Sequence, residues 1–230
     1  MKKSMFLILF TIIPFLAFGQ NDEEYALRNI SKQNKELEKP ELSDYPKNYV
    51  SLMYPISTIS THNGDAFYST AGVGLNFGRT FFLHSDYLHD QWAWGIDVTW
   101  INAECMAFKV DNRYLNTNVL DTYWQLNLGM QVGPLLLFRI NDAFSLNAFL
   151  RYSPHYSMFT GKESLYGSWC NGFASGINLF YKNWGFGIGY RTGDNMYHLL
   201  SEKTAHPFFE LISQKPVRKN EFDFTVSFRF

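Results

Sequence analysis

The feature that most constrains this chain is an unbroken period of two. Across residues 121–133, Thr122, Trp124, Leu126, Leu128, Met130 and Val132 fall on one side of an extended backbone, and Asp121, Tyr123, Gln125, Asn127, Gly129 and Gln131 on the other. Successive side chains of a strand point to opposite faces, so this segment has one apolar and one mostly polar face. The split recurs in Ala71/Val73/Leu75/Phe77 against Gly72/Gly74/Asn76/Gly78, and in Trp94/Ile96/Val98/Trp100 against Gly95/Asp97/Thr99. It recurs again in Phe144/Leu146/Ala148/Leu150/Tyr152 against Ser145/Asn147/Arg151/Ser153, and in Trp184/Phe186/Ile188/Tyr190 against Gly185/Gly187/Gly189/Arg191. Weaker segments at 50–60 and 169–181, together with the last nine residues, bring the strands to about eight.

From Tyr49 onward there is no run of 18 apolar residues, so the chain has no segment able to cross a bilayer as a helix. In hydrocarbon every backbone polar group must be satisfied within the protein, which leaves a closed barrel as the membrane-spanning option. An apolar exterior and a polar interior fit the alternation. The expected fold is therefore all-β, a transmembrane antiparallel up-and-down barrel over residues 49–230. The linkers keep the same phase. Short turns at 84–90, 139–142 and 182–183 alternate with longer connections at 61–66, 104–120, 156–167 and 194–220, as expected when both ends of the chain lie on one side. A soluble β-sandwich would bury Gln125, Asn127 and Arg151 or expose a continuous band of Leu, Trp and Phe. Aromatic residues make up 18% of the chain and the formal net charge is −1, which suits a membrane interface and not nucleic acid.

Residues 1–19 read as a secretory signal peptide, with Lys2 and Lys3, an apolar run over 5–18 broken at Pro14, and a small-residue end at Gly19. The run is too short to span a bilayer, and cleavage is expected near Gly19. Residues 20–48, rich in charge and carrying Pro40 and Pro46, read as a solvated periplasmic lead-in. Cys105 and Cys170 are the only cysteines. In an exported chain they could form a bridge or stand as two small free residues, and spacing does not choose between these.

The chain ends in strict alternation, with Phe222, Phe224, Val226, Phe228 and Phe230 on one face. This resembles the C-terminal insertion signal of Gram-negative outer-membrane barrels, which implies recognition by the barrel-assembly machinery. Over residues 49–230 the pattern is similar to the small eight-stranded barrels of the OmpA and OmpX type, and the aromatic-rich loops look like barrels of the Bacteroidetes lineage. The resemblance implies an outer-membrane location, contact with outer-membrane lipids and, for some such barrels, service as accessory subunits of envelope complexes.

Inward positions hold Asp97, Arg151, Arg191, Asp223 and Arg229, and charges inside so narrow a barrel are expected to pair. They read either as a gated conduit or as a polar core filling a lumen too small to conduct. Two rim groups could serve a lipid hydrolase or acyltransferase: His155 with Ser157, and His198 with Ser201, Glu202 and His206. Six histidines in 230 residues make such proximity common by chance. His84 and His89 with Asp86 and Asp90 read as polar turn residues, and no pattern calls for a metal, nucleotide or other cofactor. The connection at 194–220 carries Met196, Tyr197, Leu199, Leu200, Phe208, Phe209, Leu211 and Ile212, apolar content expected to pack on the barrel mouth or on another envelope protein. The leading expectation is a non-enzymatic barrel working through its outer loops, as an accessory subunit or surface-interaction protein.

Overall fold

The computed structural model describes residues 42, 45–60, 66–84, 87–88, 91–111, 120–161, 164–201 and 216–230. These form ten strands of one antiparallel sheet: β1 (Asn48–Ser60), β2 (Ala66–Phe82), β3 (Trp92–Asp111), β4 (Leu120–Arg139), β5 (Phe144–Tyr152), β6 (His155–Gly161), β7 (Ser164–Tyr181), β8 (Trp184–Asn195), β9 (His198–Ser201) and β10 (Val217–Arg229). β5 and β6 both lie between β4 and β7. Val132 faces Tyr152 and Gly129 faces His155, so the register runs on without a slip and the two are one stave. The interruption falls at Pro154, which has no N–H to give the ladder. β9 pairs only with the outer end of β7, through Leu165, Tyr166 and Gly167. Eight staves remain, and the β3–β4 pairing closes them into a barrel.

The hydrogen-bonded register measures the closure. From Asn48 the ladder passes through Arg79, Val98, Val132, Tyr152, Phe173, Thr192 and Asn220, and it returns to β1 at Thr58, ten residues beyond its start. Eight strands with such a stagger tilt by about 40° and enclose just enough space for side chains.

The outward face is apolar, with Leu52, Leu75, Phe77, Trp94, Leu128, Ile177, Phe186 and Phe224 among its exposed residues. A belt of that extent closed around a molecule is a hydrocarbon-facing surface. Its residues share the phase of the alternation read from the sequence. No helix among the described residues is long and apolar enough to cross a membrane, and the strands form the crossing surface.

Among the described residues of the eight staves two bulges interrupt the phase. On β3 the pairing slips between Thr99 and Asn102, and Trp100 and Ile101 are both exposed. On β2 it slips between Ser69 and Ala71. A one-residue slip exchanges the faces of everything beyond it. The β3 bulge turns Asn102, Glu104 and Met106 inward and leaves Cys105 outward.

The strands also run further than the sequence indicates. Positions 104–111, 156–161, 164–167, 194–195, 198–201 and 217–220 were expected in outer connections and belong to strands. β3 and β4 have 20 residues each, whereas about 9–11 suffice to cross a membrane. Contrast between faces disappears in this outer part because the inward face becomes apolar too, with Met106, Phe108, Phe159 and Tyr166. The backbone remains extended where the two-residue signal fades.

Inside, the lumen is layered, so the polar interior expected from the sequence occupies only its middle. At its outer end Ile59, Met106, Phe108, Tyr123, Phe159, Tyr166, Tyr197 and Val217 form an apolar cluster. At its inner end Leu42, Ala93, Leu135 and Leu137 form a second, against which Tyr45, Phe82 and Tyr87 pack. Polar and charged side chains occupy the layer between. Leu42 and Tyr45 belong to the segment read as a solvated lead-in, so its final residues are part of the inner plug. Residues 1–41, including the expected signal peptide, lie outside the described residues.

Candidate functional site: the ionic core and the outer flank

The middle layer is an ion-pair network whose members come from several staves. Arg151 Nη2 lies 2.7 Å from Asp97 Oδ2. Tyr49 donates its hydroxyl hydrogen bond to the same carboxylate at 2.8 Å, and Thr80 donates to the other oxygen at 2.7 Å. Local sequence makes room for this arrangement. A Cβ on Gly78 would land on the Tyr49 ring and hydroxyl, so glycine at this inward position is what lets Tyr49 reach Asp97.

Further out, Arg191 lies 2.6 Å from Glu104 and 3.4 Å from Glu221, and Lys219 lies 2.6 Å from Glu221 and 4.0 Å from Glu104. Asn127 and Asn102 donate to the two oxygens of Glu104 at 3.0 and 2.8 Å. All four ionic side chains are buried. Asp97, Arg151, Arg191, Asp223 and Arg229, the inward charges read from the sequence, all face this layer, but Glu104, Lys219 and Glu221 were not among them. Their signal was available in part. Carried backward from Phe222, the terminal alternation places Glu221 and Lys219 on the face of Asp223. Glu104 is legible only once the bulge at Trp100 is known.

Tyr197, expected in a partner-contacting loop, is buried within the outer cluster. Its ring meets Phe159 edge-on at 5.1 Å, and its hydroxyl accepts hydrogen bonds from Gln125 at 2.8 Å and Asn195 at 2.9 Å and lies 3.0 Å from Ser157 Oγ. The residue caps the lumen. Leu199 and Leu200 lie on β9, while Phe208, Phe209, Leu211 and Ile212 fall outside the described residues.

The rim groups are rearranged as well. His155 is 2% exposed, on the inward face of β6 and opposite Cys170, which corrects its expected place in an outer loop. Its Nδ1 faces Ser153 O at 3.1 Å and its Nε2 has no partner, while Ser157 Oγ accepts from Gln125. The two residues share a face without the hydroxyl-to-imidazole hydrogen bond of an activated nucleophile. His198 is exposed on β9, opposite Gly167, and Ser201 ends that strand. Glu202 and His206 lie outside the described residues, as do Asp86, His89 and Asp90, and His84 is exposed beyond β2. Among the described residues no three metal-ligating side chains cluster. Cys105 and Cys170 are free thiols, one on each face of the barrel wall, so the bridge left open by the sequence is not formed.

The exterior differs from wall to wall. On β10 the apolar outward residues run from Phe230 to Phe222 and stop. Beyond them Thr192 and Tyr190 donate to Asn220 at 2.9 and 3.0 Å, and Arg218 pairs with Asp194 at 3.3 Å. On β4 they run from Phe138 to Trp124. Leu126 faces Met158, Leu128 faces Tyr156 and Tyr156 faces Trp169, which gives one connected apolar flank on β4, β6 and β7. Trp124, Leu126, Leu128 and Trp169 are 52%, 43%, 57% and 62% exposed.

No known protein family and no curated protein matches the chain. Among solved structures it is similar to Neisserial surface protein A, NspA, with 14% identity, 80% of this chain and 97% of that chain covered, and a TM-score of 0.43. It is similar to Ail, the attachment invasion locus protein of Yersinia pestis, with 13% identity, 81% and 99% covered, and a TM-score of 0.40. The Escherichia coli outer membrane protease OmpT gives 8% identity, 84% and 99% covered, and a TM-score of 0.42. At that identity and overlap no activity, ligand or partner is carried over from them. On its own eight staves, closed ladder and apolar exterior, the chain has the fold of the small eight-stranded outer-membrane barrels.

Proposed function

We propose that this chain is a Gram-negative outer-membrane barrel that acts by holding a protein partner in the same membrane, as an accessory subunit or surface-interaction protein. The observation that carries the reading is the outer flank of β4, β6 and β7. At a tilt of about 40° each residue advances roughly 2.5 Å along the barrel axis, so the apolar run of β10 is about 20 Å tall and that of β4 about 35 Å. A lipid-facing band is about 25 Å tall. The β4 side overshoots it by roughly 10 Å, while the inner ends of both runs stay beside the inner turns and the chain terminus. A tilt of the whole barrel shifts both ends of a band together and does not produce such a wedge. In the overshoot Trp124 and Met158 face outward, while Tyr123 and Phe159 pack inward beside the hydrogen-bonded Gln125 and Ser157.

The experiment is extraction of the tagged protein from its own outer membrane in mild detergent, followed by sizing and mass spectrometry. A stoichiometric protein partner is expected with the wild-type chain and is expected to be lost from a folded L126D/M158D double variant. A barrel that runs alone, or a partner indifferent to both substitutions, contradicts the proposal.

A further inference from the structure

Of the four buried cations in the lumen, Arg151, Arg191 and Lys219 each pair with a carboxylate, whereas Arg229 has none within ion-pairing range among the described residues. It donates to Pro46 O and to Thr80 Oγ1, each at 3.2 Å, and to the amide oxygen of Asn147 at 2.9 Å, all uncharged acceptors, and the rings of Phe180, Tyr45 and Tyr49 lie 4.7, 5.1 and 5.4 Å from its guanidinium carbon. Its Nε has no partner, nor has that of Arg151, and both residues are more than nine-tenths buried. Charge is thus segregated along the axis. Among the described residues the inner half holds Arg151 and Arg229 against Asp97 alone, and the outer half holds Arg191 and Lys219 against Glu104 and Glu221, with Asp223 beside them. Asp223 and Arg229 are six residues apart on the same face of β10, roughly 20 Å along the strand, so neither compensates the other at contact range.

Between them lies a chamber of about 40 Å³, with room for roughly two or three waters or for one small ion and a water. Arg151 and Arg229 line it together with Ser51, Ser227, Asn76 and Asn178, all able to donate hydrogen bonds, and Asp223 and Arg191 stand at its outer end. A buried charge needs a nearby compensating charge or full hydrogen bonding. We propose that the inner part of this chamber binds one small inorganic anion of halide size, held between Arg151 and Arg229. At the outer end Arg191 is already paired with Glu104 and Glu221, which leaves the inner end as the position for the anion. The inference is independent of any partner on the outer flank.

The test uses the full barrel, refolded into detergent in sodium gluconate, whose anion is too large for the chamber, and then titrated with sodium chloride or bromide at constant ionic strength. A saturable rise of a few degrees in the unfolding midpoint is expected for the wild-type chain and is expected to vanish in R229Q. Diffraction from bromide-grown crystals of the wild-type chain, which needs no variant, should place an anomalous peak between the two guanidinium groups. A midpoint independent of chloride, or bromide crystals whose chamber holds water alone, would overturn the assignment.

Discussion

β4 and β10 stand on opposite sides of the same barrel and are dressed differently. β10 is a compact crossing strand, with four outward apolar residues followed by Phe230, a polar rim at Asn220 and Arg218, and an inward face that supplies Lys219, Glu221, Asp223 and Arg229 to the lumen. Between Tyr123 and Leu137 the inward face of β4 carries no charge, and its outward apolar surface continues to Trp124. The difference separates two tasks within one sheet. The β10 side matches the lipid band and builds the ionic interior, and the β4 side offers apolar surface beyond the height that lipid covers.

The largest effect is expected from deleting Trp100. Without the bulged residue, the β3 segment beyond it exchanges faces, Glu104 turns toward the outside and Cys105 toward the lumen. Failure to reach the heat-modifiable folded form on gel electrophoresis is the expected outcome, and a folded deletion variant would remove the bulge from the account.

Next in size is E104Q, which leaves Arg191 and Lys219 to share Glu221. Removing one partner of a buried ionic cluster costs about 3–5 kcal/mol, measurable as a shift in urea unfolding in detergent or vesicles. The paired substitutions F224R and L126R compare the two walls directly. Arginine in the middle of the lipid band costs about 2–4 kcal/mol and near or above its edge about 0–1 kcal/mol. Phe224 is expected in the first range and Leu126 in the second, and equal costs would erase the distinction between the walls. Y197F removes the acceptor shared by Gln125 and Asn195 and is expected to destabilise by about 1–3 kcal/mol.

The smallest effect concerns the inner plug. Burial first, and nearby Tyr45 second, push the phenol of Tyr87 from its ordinary value near 10 up to about 12, with Arg139 opposing. A raised value means that the folded form holds this proton more tightly than the unfolded chain. The associated stability is therefore full below pH 10 and is lost as pH rises toward 12. A slight loss of stability over that interval in the wild-type chain, absent in Y87F, checks it.

Much of the fold was legible in the sequence because half of each strand faces hydrocarbon. That environment writes an apolar residue at every second position, and the Phe222 to Phe230 segment, the 121–133 segment and the three inner turns can be located from it. What was not legible has two physical causes. A bulge inserts one residue without altering composition, so the inward turn of Glu104 leaves no periodic trace. Where the lumen itself is apolar, as at Phe108, Phe159 and Tyr166, the faces no longer contrast, and strand reads as loop. For the same reasons His155 and Tyr197 were expected at the rim and are found inside.

The claim that the outer flank of β4, β6 and β7 is covered by protein is most directly tested by photocrosslinking in the native outer membrane, with the reactive residue placed in turn at Leu126, Met158 and Asn220. The account predicts one protein adduct, of the same mass, from Leu126 and Met158 and none from Asn220. Lipid adducts alone from all three positions would contradict it.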